Sequence, residues 1–270
     1  MPKYISTSAA IFCWLGIAMP IEAISISHHE AIRIGNKIWQ NECGGKVAGL
    51  TSWNEGEDFA SLGIGHFIWY PKGTRGPFEE SFPKLMTFIS SHGAKLPQFL
   101  LSASDSACPW NSCREFNEAQ NSSEMKQLRK FLVDAIDLQA EFMVARLQSA
   151  LPKMLNKAPL FQRPNIQRQF DRLSSTIGGA YALIDYVNFK GEGVLSTERY
   201  KGQGWGLLQV LEGMSGSEKE ENLGGVAAVG DFSRSAARVL TRRVRNSPPA
   251  RNEARWLPGW LNRIHTYSNA

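Results

Sequence analysis

The sequence contains few cysteines, no internal repeat, no low-complexity tract and no long polar linker. The absence of repeats and linkers argues against a repeat protein or a string of separate modules, so we expect a single domain over residues 24–270. Its 270 residues, 43% of them hydrophobic and 20% charged, are enough to bury a full core. Composition therefore predicts an ordinary ordered globular protein.

Cysteine is scarce, and the spacing of the four residues limits their chemistry. No histidine pair or second CxxC lies near them to complete a metal site, so we predict no metal and no cofactor. The segment CPWNSC favours a bridge between Cys108 and Cys113. Cys43 follows a helical glutamate and is either a nucleophile or a small buried apolar residue, and the second interpretation is favoured.

Long apolar runs are also rare, and one uncharged apolar stretch covers residues 9–21. It follows Lys3, precedes the small Ala23, and is shorter than the ~20 residues that span a bilayer. These features predict a signal peptide over residues 1–23, with an uncleaved membrane anchor as the alternative. We expect a periplasmic or secreted protein with no stable membrane insertion after cleavage.

Acidic residues are nearly absent near the C-terminus, where Glu253 accompanies eight arginines. A basic surface on an exported protein is expected to attract an anionic envelope polymer. Nucleic acid is not predicted as a partner, because export argues against it and no nucleic-acid-binding motif is present. The alternative is a solvated helix face with some arginines paired internally. The arginines are Arg234, Arg238, Arg242, Arg243, Arg245, Arg251, Arg255 and Arg263.

The first helical pattern of the mature chain ends in a glutamate. Ser27 and Glu30 form a predicted capping box, and isoleucines stand four and eight positions before Glu42. Glycines directly after Cys43 end the pattern. A carboxyl at the edge of an apolar stripe is partly desolvated, which keeps its proton available near neutral pH. Glu42 is therefore predicted to act as a general acid, as cleavage of a glycosidic bond requires.

The segments LTSW, NEGED and FASLGIGHFIWY then predict a β-hairpin that stops at Pro71. Helical patterns follow near residues 79–91, 125–151, 165–189 and 232–245. The expected fold class is α+β, mainly α, with a small hairpin sheet beside the helix of Glu42.

A later segment, YKGQGWGLLQVL, places three glycines among Tyr200, Trp205 and Gln209. Aromatic faces stack on sugar rings and amides bind hydroxyls, so these residues are candidates for holding a glycan. A tight turn before a helix is an equally good interpretation.

Glu42, the hairpin and the run SLGIGHF resemble the lysozyme-like superfamily, namely phage-type muramidases and exported bacterial lysozyme-like proteins. That group includes lysozymes specialised for de-N-acetylated peptidoglycan. The resemblance implies a lysozyme-like fold over the domain, with Glu42 as the catalytic acid. His66 and Trp53 are further candidates for substrate binding, Trp53 because it points opposite to its neighbours along the strand. A hydrogen-bonding role for His66 and a core position for Trp53 are favoured.

The second acid has two candidates under this resemblance. In phage-type enzymes an acidic residue stands six positions before a hydroxyl, which selects Glu55 before Ser61, with serine in place of the usual threonine. In the exported relatives the pattern WNxGExFxSLGIGHFIWY selects Glu57 instead. Both candidates stay open at this point.

The resemblance implies a peptidoglycan hydrolase that cleaves the β-1,4 bond between N-acetylmuramic acid and N-acetylglucosamine and acts as a monomer. A preference for de-N-acetylated glycan is a further expectation. A lytic transglycosylase that releases 1,6-anhydro products is the first alternative. A peptidoglycan-binding module without turnover is the second.

Overall fold

The computed structural model describes residues 26–76, 78–102, 107–216 and 225–269, so the predicted signal peptide lies outside the described residues. No helix formed by these residues has the length and apolar character needed to cross a membrane. The fold is α+β and mainly helical, as predicted. The helices are α1 (His28–Cys43), α2 (Phe82–Ser91), α3 (Gln98–Ser102), α4 (Cys113–Glu118), α5 (Ser123–Asp134), α6 (Ile136–Lys157), α7 (Arg163–Ser174), α8 (Ile177–Lys190), α9 (Leu207–Glu212), α10 (Gly225–Asn246) and α11 (Leu257–His265). The strands are β1 (Thr51–Ser52), β2 (Ala60–Leu62), β3 (Phe67–Trp69), β4 (Arg199–Tyr200) and β5 (Gln203–Gly204).

Helix α1 begins and ends where the sequence predicts. The Ser27 hydroxyl accepts from the Glu30 backbone N–H at 3.3 Å, and the Glu30 carboxylate accepts from the Ser27 N–H at 2.6 Å. Gly44 ends the helix in the left-handed conformation (φ 60°), which costs glycine little. The buried face, including Ile34 and Ile38, packs against α6. This packing fixes the direction of the last turn of α1.

The predicted hairpin is instead a three-stranded antiparallel sheet in the order β1-β2-β3. The GIGH segment turns rather than continuing the strand, with Gly63 at φ 73° and His66 at φ 50°. Ser61 in the central strand lies opposite Ser52 on one side and Ile68 on the other. The glycines therefore reverse the chain between β2 and β3 and present His66 at the tip of the turn.

The pattern over 125–151 predicts one helix, but the structure has two, α5 and α6, separated at Ala135. The fully buried Gln139 side chain donates to the carbonyl oxygens of Leu132 at 2.7 Å and Ala135 at 3.2 Å. Its own oxygen accepts from the Ile64 N–H at 3.0 Å. The break is therefore tied to the turn after β2, and this tertiary contact also holds that turn in place.

The pattern over 165–189 likewise divides, into α7 and α8. Thr176 starts α8, because its hydroxyl accepts from the Gly179 N–H at 3.1 Å. The helices predicted near 79–91 and 232–245 are present as α2 and α10. Helix α8 is buried along most of its length, packs against α7 and α10, and contacts α1, so its polar side chains can reach the end of α1.

The predicted bridge between Cys108 and Cys113 is not formed, and these residues and Cys43 are free thiols. Cys113 begins α4, and its sulfur lies 3.5 Å from the carbonyl oxygen of Trp53 and 3.4 Å from the amide nitrogen of Asn117. Cys108 is buried, and burial raises the pKa of its thiol to about 12. The start of α4 therefore turns the Cys113 sulfur toward the end of β1.

Candidate functional site

A cleft of about 690 Å³ lies where the turn after β2, the C-terminal end of α8 and the β4–β5 hairpin meet. Its wall contains both aromatic rings and charged side chains. A cavity of this size and chemistry suits an extended polar ligand with ring faces. The lining includes His66, Asn188, Phe189, Lys190, Tyr200, Trp205, Arg243, Arg251, Glu192 and Glu198.

Glu42, in the last turn of α1, lies beside this cleft with a side chain that is 15% exposed. Its Oε1 accepts from Arg263 Nη2 at 2.6 Å and from Asn188 Nδ2 at 3.2 Å. Its Oε2 lies 3.6 Å from Nδ1 of His66. The predicted apolar surroundings are therefore wrong, because a guanidinium, an amide and an imidazole surround the carboxyl group. Two donors hold Oε1, and Oε2 is directed toward a residue of the cleft wall.

The guanidinium that holds Glu42 is itself anchored by a fully buried aspartate on α8. Arg263 donates to Asp185 from Nε at 2.8 Å and from Nη2 at 2.8 Å. Asp185 also accepts from the Tyr267 hydroxyl at 2.7 Å and from Asn41 Nδ2 at 3.4 Å. These donors compensate the buried carboxylate, and the planar guanidinium bridges two acids. The network fixes Glu42 from the side opposite the cleft.

His66 bridges Glu42 and its neighbour Cys43. While Nδ1 faces Glu42, Nε2 lies 3.5 Å from the sulfur of Cys43. This order of thiol, imidazole and carboxylate is one that activates cysteine nucleophiles. Burial and the adjacent Glu42 charge, however, raise the pKa of the Cys43 thiol to about 12. Cys43 is thus protonated near neutral pH, which argues against a nucleophilic role.

The two candidates for a second acid occupy different environments. Glu57 is half-buried and accepts from Asn54 Nδ2 at 3.1 Å. Burial raises the pKa of Glu57, while Asn54 and the charge of His66 act in the opposite direction. Glu55 is exposed in the same loop. Ser61 is only 5% exposed in the central strand, so its hydroxyl is packed within the sheet.

The predicted glycan-binding residues divide into two groups. Tyr200 and Trp205 line the cleft, with ring centroids 4.5 Å apart. Gln209 does not, because its side chain accepts from the Gly206 N–H at 3.1 Å and caps α9. Trp53 is 7% exposed and packs against the aromatic core, so it is absent from the described cleft wall. The segment around Tyr200 is both a tight turn before a helix and part of the cleft.

Lys190, at the end of α8, lies in the cleft wall between two aromatic rings. Its Nζ is 3.5 Å from the ring centroid of Trp260 and 3.7 Å from that of Phe189. Burial, followed by the charges of Arg243 and Arg263, lowers the pKa of Lys190 to about 6. Sequence reasoning did not single out this residue, because a lysine ending a helix is ordinarily solvated.

The basic C-terminal region combines both predicted arrangements. Arg243 and Arg263 have side chains only 15% and 10% exposed and are paired with acids. Arg243 donates to both oxygens of Glu253, at 2.8 and 2.9 Å, and Glu253 also accepts from Tyr200 at 2.8 Å. The arginines at 234, 238, 245, 251 and 255 are exposed and form the basic surface.

Sequence reasoning missed Asp185, Asn188 and the inward position of Arg263. The signal for Asp185 is present, because it is the lone acid in the apolar helix IGGAYALIDYVNFK. A buried acid requires a partner, so that pattern predicts a cation or hydroxyl from elsewhere in the chain. Within the described residues, no group of three or more histidine, cysteine, aspartate or glutamate side chains is arranged to hold a metal ion. Compared with known protein families, curated proteins and solved structures, the chain gives no match.

Proposed function

We propose that this protein is a peptidoglycan glycosidase that cleaves the β-1,4 bond between N-acetylmuramic acid and N-acetylglucosamine. The observation that carries the proposal is the setting of Glu42, a helix-borne carboxyl with one oxygen held by two donors and the other 3.6 Å from His66, a residue of the cleft wall. The resemblance of the SLGIGHF segment to lysozyme-like enzymes supports the same reaction. Export to the periplasm or the medium stays a prediction.

In this proposal Oε2 of Glu42 carries the proton to the departing glycosidic oxygen. Arg263 and Asn188 occupy Oε1, so they orient the group and stabilise the carboxylate left after proton transfer. Because Asp185 holds Arg263 on its far side, the carboxyl does not have to reorganise during the reaction. The positively charged sugar that develops would be stabilised by a second carboxylate, and the half-buried Glu57 suits this role better than Glu55.

A lytic transglycosylase is the second candidate, and one observation favours it. Neither Glu55 nor Glu57 belongs to the described lining of the cleft, whereas Glu42, which is also outside it, contacts the lining residues His66 and Asn188. A transglycosylase needs a single acid, because the 6-hydroxyl of the sugar attacks the anomeric carbon in place of water. The two reactions differ in their products, which have either a reducing end or a 1,6-anhydro ring.

Mass spectrometry of digested peptidoglycan tests the proposal and separates the two reactions. The wild type should release muropeptides, and Glu42→Gln should lower the rate by about 10²–10⁴-fold, because the N–H protons of an amide are not acidic enough for general acid catalysis. Glu118→Gln, on an exposed side chain paired with Arg114, is the matched control and should keep full activity. Acetylated and de-N-acetylated substrates, digested in parallel, measure the predicted preference.

Two outcomes would count against this function. Undiminished activity of a folded Glu42→Gln variant would remove Glu42 from the chemistry. Binding of the wild type to sacculi without any soluble product would indicate a binding module instead. Products lighter by one water than the hydrolytic ones would assign the transglycosylase reaction.

A further inference from the structure

A half-buried lysine in the cleft wall lacks an anionic partner among the described residues. Lys190 contacts the faces of Phe189 and Trp260, yet no described carboxylate or hydrogen-bond acceptor lies within bonding distance of its Nζ. Its side chain is not fully enclosed, and the residue forms part of the cleft lining. The amine is therefore held in place by aromatic rings, on a residue that belongs to the cleft wall.

The charged groups around Lys190 are paired with one another. Arg263 on α11 is bonded to Asp185 and Glu42, and Arg243 on α10 is bonded to Glu253. These two guanidinium groups repel the ammonium form of Lys190, whereas Glu42 and Glu253 attract it more weakly. An anion that enters the cleft would meet an amine that no described acid pairs with, and the charge of the anion would favour the ammonium form of Lys190.

We propose that Lys190 binds a carboxylate of the ligand, which makes it the residue that distinguishes acidic muramyl units from neutral glucosaminyl units. This inference rests on the proposed function, since it assigns a specificity contact to the same cleft. A lysine ammonium is a compact point charge with several donors, so it suits a carboxylate that approaches from one side. The rings of Phe189 and Trp260 contact its Nζ and restrict the rotamers of the side chain, so less entropy is lost on binding.

Two kinds of carboxylate have this chemistry in peptidoglycan. One is the free lactyl group of a muramyl unit without a peptide, and the other is a carboxylate of the peptide stem. N-acetylmuramic acid carries the first, muramyl dipeptide carries the second, and N-acetylglucosamine carries neither. Titration of the protein with each compound, followed by NMR chemical shifts, separates the two sources.

The wild type should bind at least one acidic probe about tenfold more tightly than N-acetylglucosamine at a pH near 6, as expected for one charge-assisted contact. Lys190→Met fills the same aromatic slot without charge and should abolish this preference. Lys130→Met is the control, because Lys130 is an exposed lysine outside the described cleft lining and is already paired with Asp134 at 2.6 Å. The control should keep the preference.

A pH series adds a readout that a structural role would not change. Because the pKa of Lys190 is lowered to about 6, the free protein has a largely neutral amine at higher pH, and binding of the anion must take up a proton. The preference of the wild type should therefore weaken as the pH rises from about 6 to 8. Lys190→Arg keeps its charge throughout this range and should show a preference that does not change with pH.

An equal preference in the wild type and folded Lys190→Met, or no preference in the wild type, would overturn the inference. The outcomes for the proposed function are separate. Cleavage of peptidoglycan without carboxylate preference would remove only the role of Lys190. Carboxylate preference without cleavage would leave the role of Lys190 and remove the glycosidase.

Discussion

Two charged groups at the cleft are surrounded in opposite ways. In what we call the compensated site, Glu42 is surrounded by donors, and a second buried acid, Asp185, anchors the arginine that holds it. In the uncompensated site, Lys190 lies between aromatic rings with no described acid in contact. Bonded partners of opposite charge offset part of the desolvation cost of a buried charge and fix its position. A buried group without such partners lowers the free energy of unfolding and keeps its bonding capacity for a ligand. Under the two proposals made above, the compensated site orients a reacting group and the uncompensated site selects the ligand.

The largest expected effect on stability comes from removing a charge from the compensated site. Asp185→Asn keeps the shape of the side chain but leaves the buried Arg263 with one acid fewer, and the Tyr267 hydroxyl loses a charged acceptor. We expect a loss of about 3–5 kcal/mol in the free energy of unfolding. Denaturant titration of the wild type and the variant measures the difference.

Asp134→Asn is the control for this experiment. Asp134 pairs with Lys130 at 2.6 Å on the surface of α5, with side chains 58% and 77% exposed. Its loss should cost no more than about 0.5 kcal/mol, because surface pairs contribute little. A similar small cost for both variants would show that the network around Asp185 is not the anchor described above.

Removing the charge from the uncompensated site should raise stability instead of lowering it, so we expect Lys190→Met to stabilise the protein near neutral pH. The pKa of Lys190 is lowered from 10.5 to about 6, which means that folding disfavours its charged form. The attraction of the two ring faces, about 2 kcal/mol for a desolvated cation, recovers part of that cost. Methionine keeps the apolar contacts and removes the charge.

The sign of the pH dependence follows from the lowered pKa. Between the folded value of about 6 and the unfolded value of 10.5 the unfolded chain binds more protons, so the wild type gains stability as the pH rises. The advantage of Lys190→Met should be greatest at or below about pH 6 and should shrink toward pH 10.5. Thermal unfolding across this range measures it, and Lys130→Met, on an exposed lysine, should show little change. A constant advantage at every pH would mean that packing, not charge, separates the two proteins.

Local signals in the sequence predicted the elements whose ends are fixed by neighbouring residues. The capping box of Ser27 and Glu30 and the left-handed Gly44 define α1 without help from the rest of the chain. The division between α5 and α6 was not predictable, because Gln139 fixes it through a bond to the turn that carries Ile64. A periodic apolar pattern reports which face is buried, but it does not report a buried polar side chain that ends a helix.

The same limit applies to the site. Glu42 was predicted from its spacing along α1, whereas its partner Arg263 lies 221 positions away in the sequence. Arg263 was counted with the basic surface, since nothing near it in the chain marks it as buried. Trp53 is the opposite case, a residue predicted to bind sugar that lies in the core. Its residue type suggested stacking on a sugar ring, but its position near the end of β1 places it against Phe116. The roles of Glu42, Glu55, Glu57 and Ser61 stay predictions.

The smallest effect concerns the loop between β1 and β2, which carries the two candidates for a second acid beside Glu42. Glu57→Gln should lower kcat/KM by about 10–100-fold, while Glu55→Gln should stay within about twofold, because Glu57 is half-buried near His66 and Glu55 is exposed. Burial raises the pKa of Glu57, so the acid limb of the wild-type pH profile should lie above the ordinary range of a glutamate. Glu57→Gln should remove that limb and Glu55→Gln should keep it. Equal activity in both variants would favour the single-acid transglycosylase reaction, in which Glu42 and the sugar's own hydroxyl complete the chemistry.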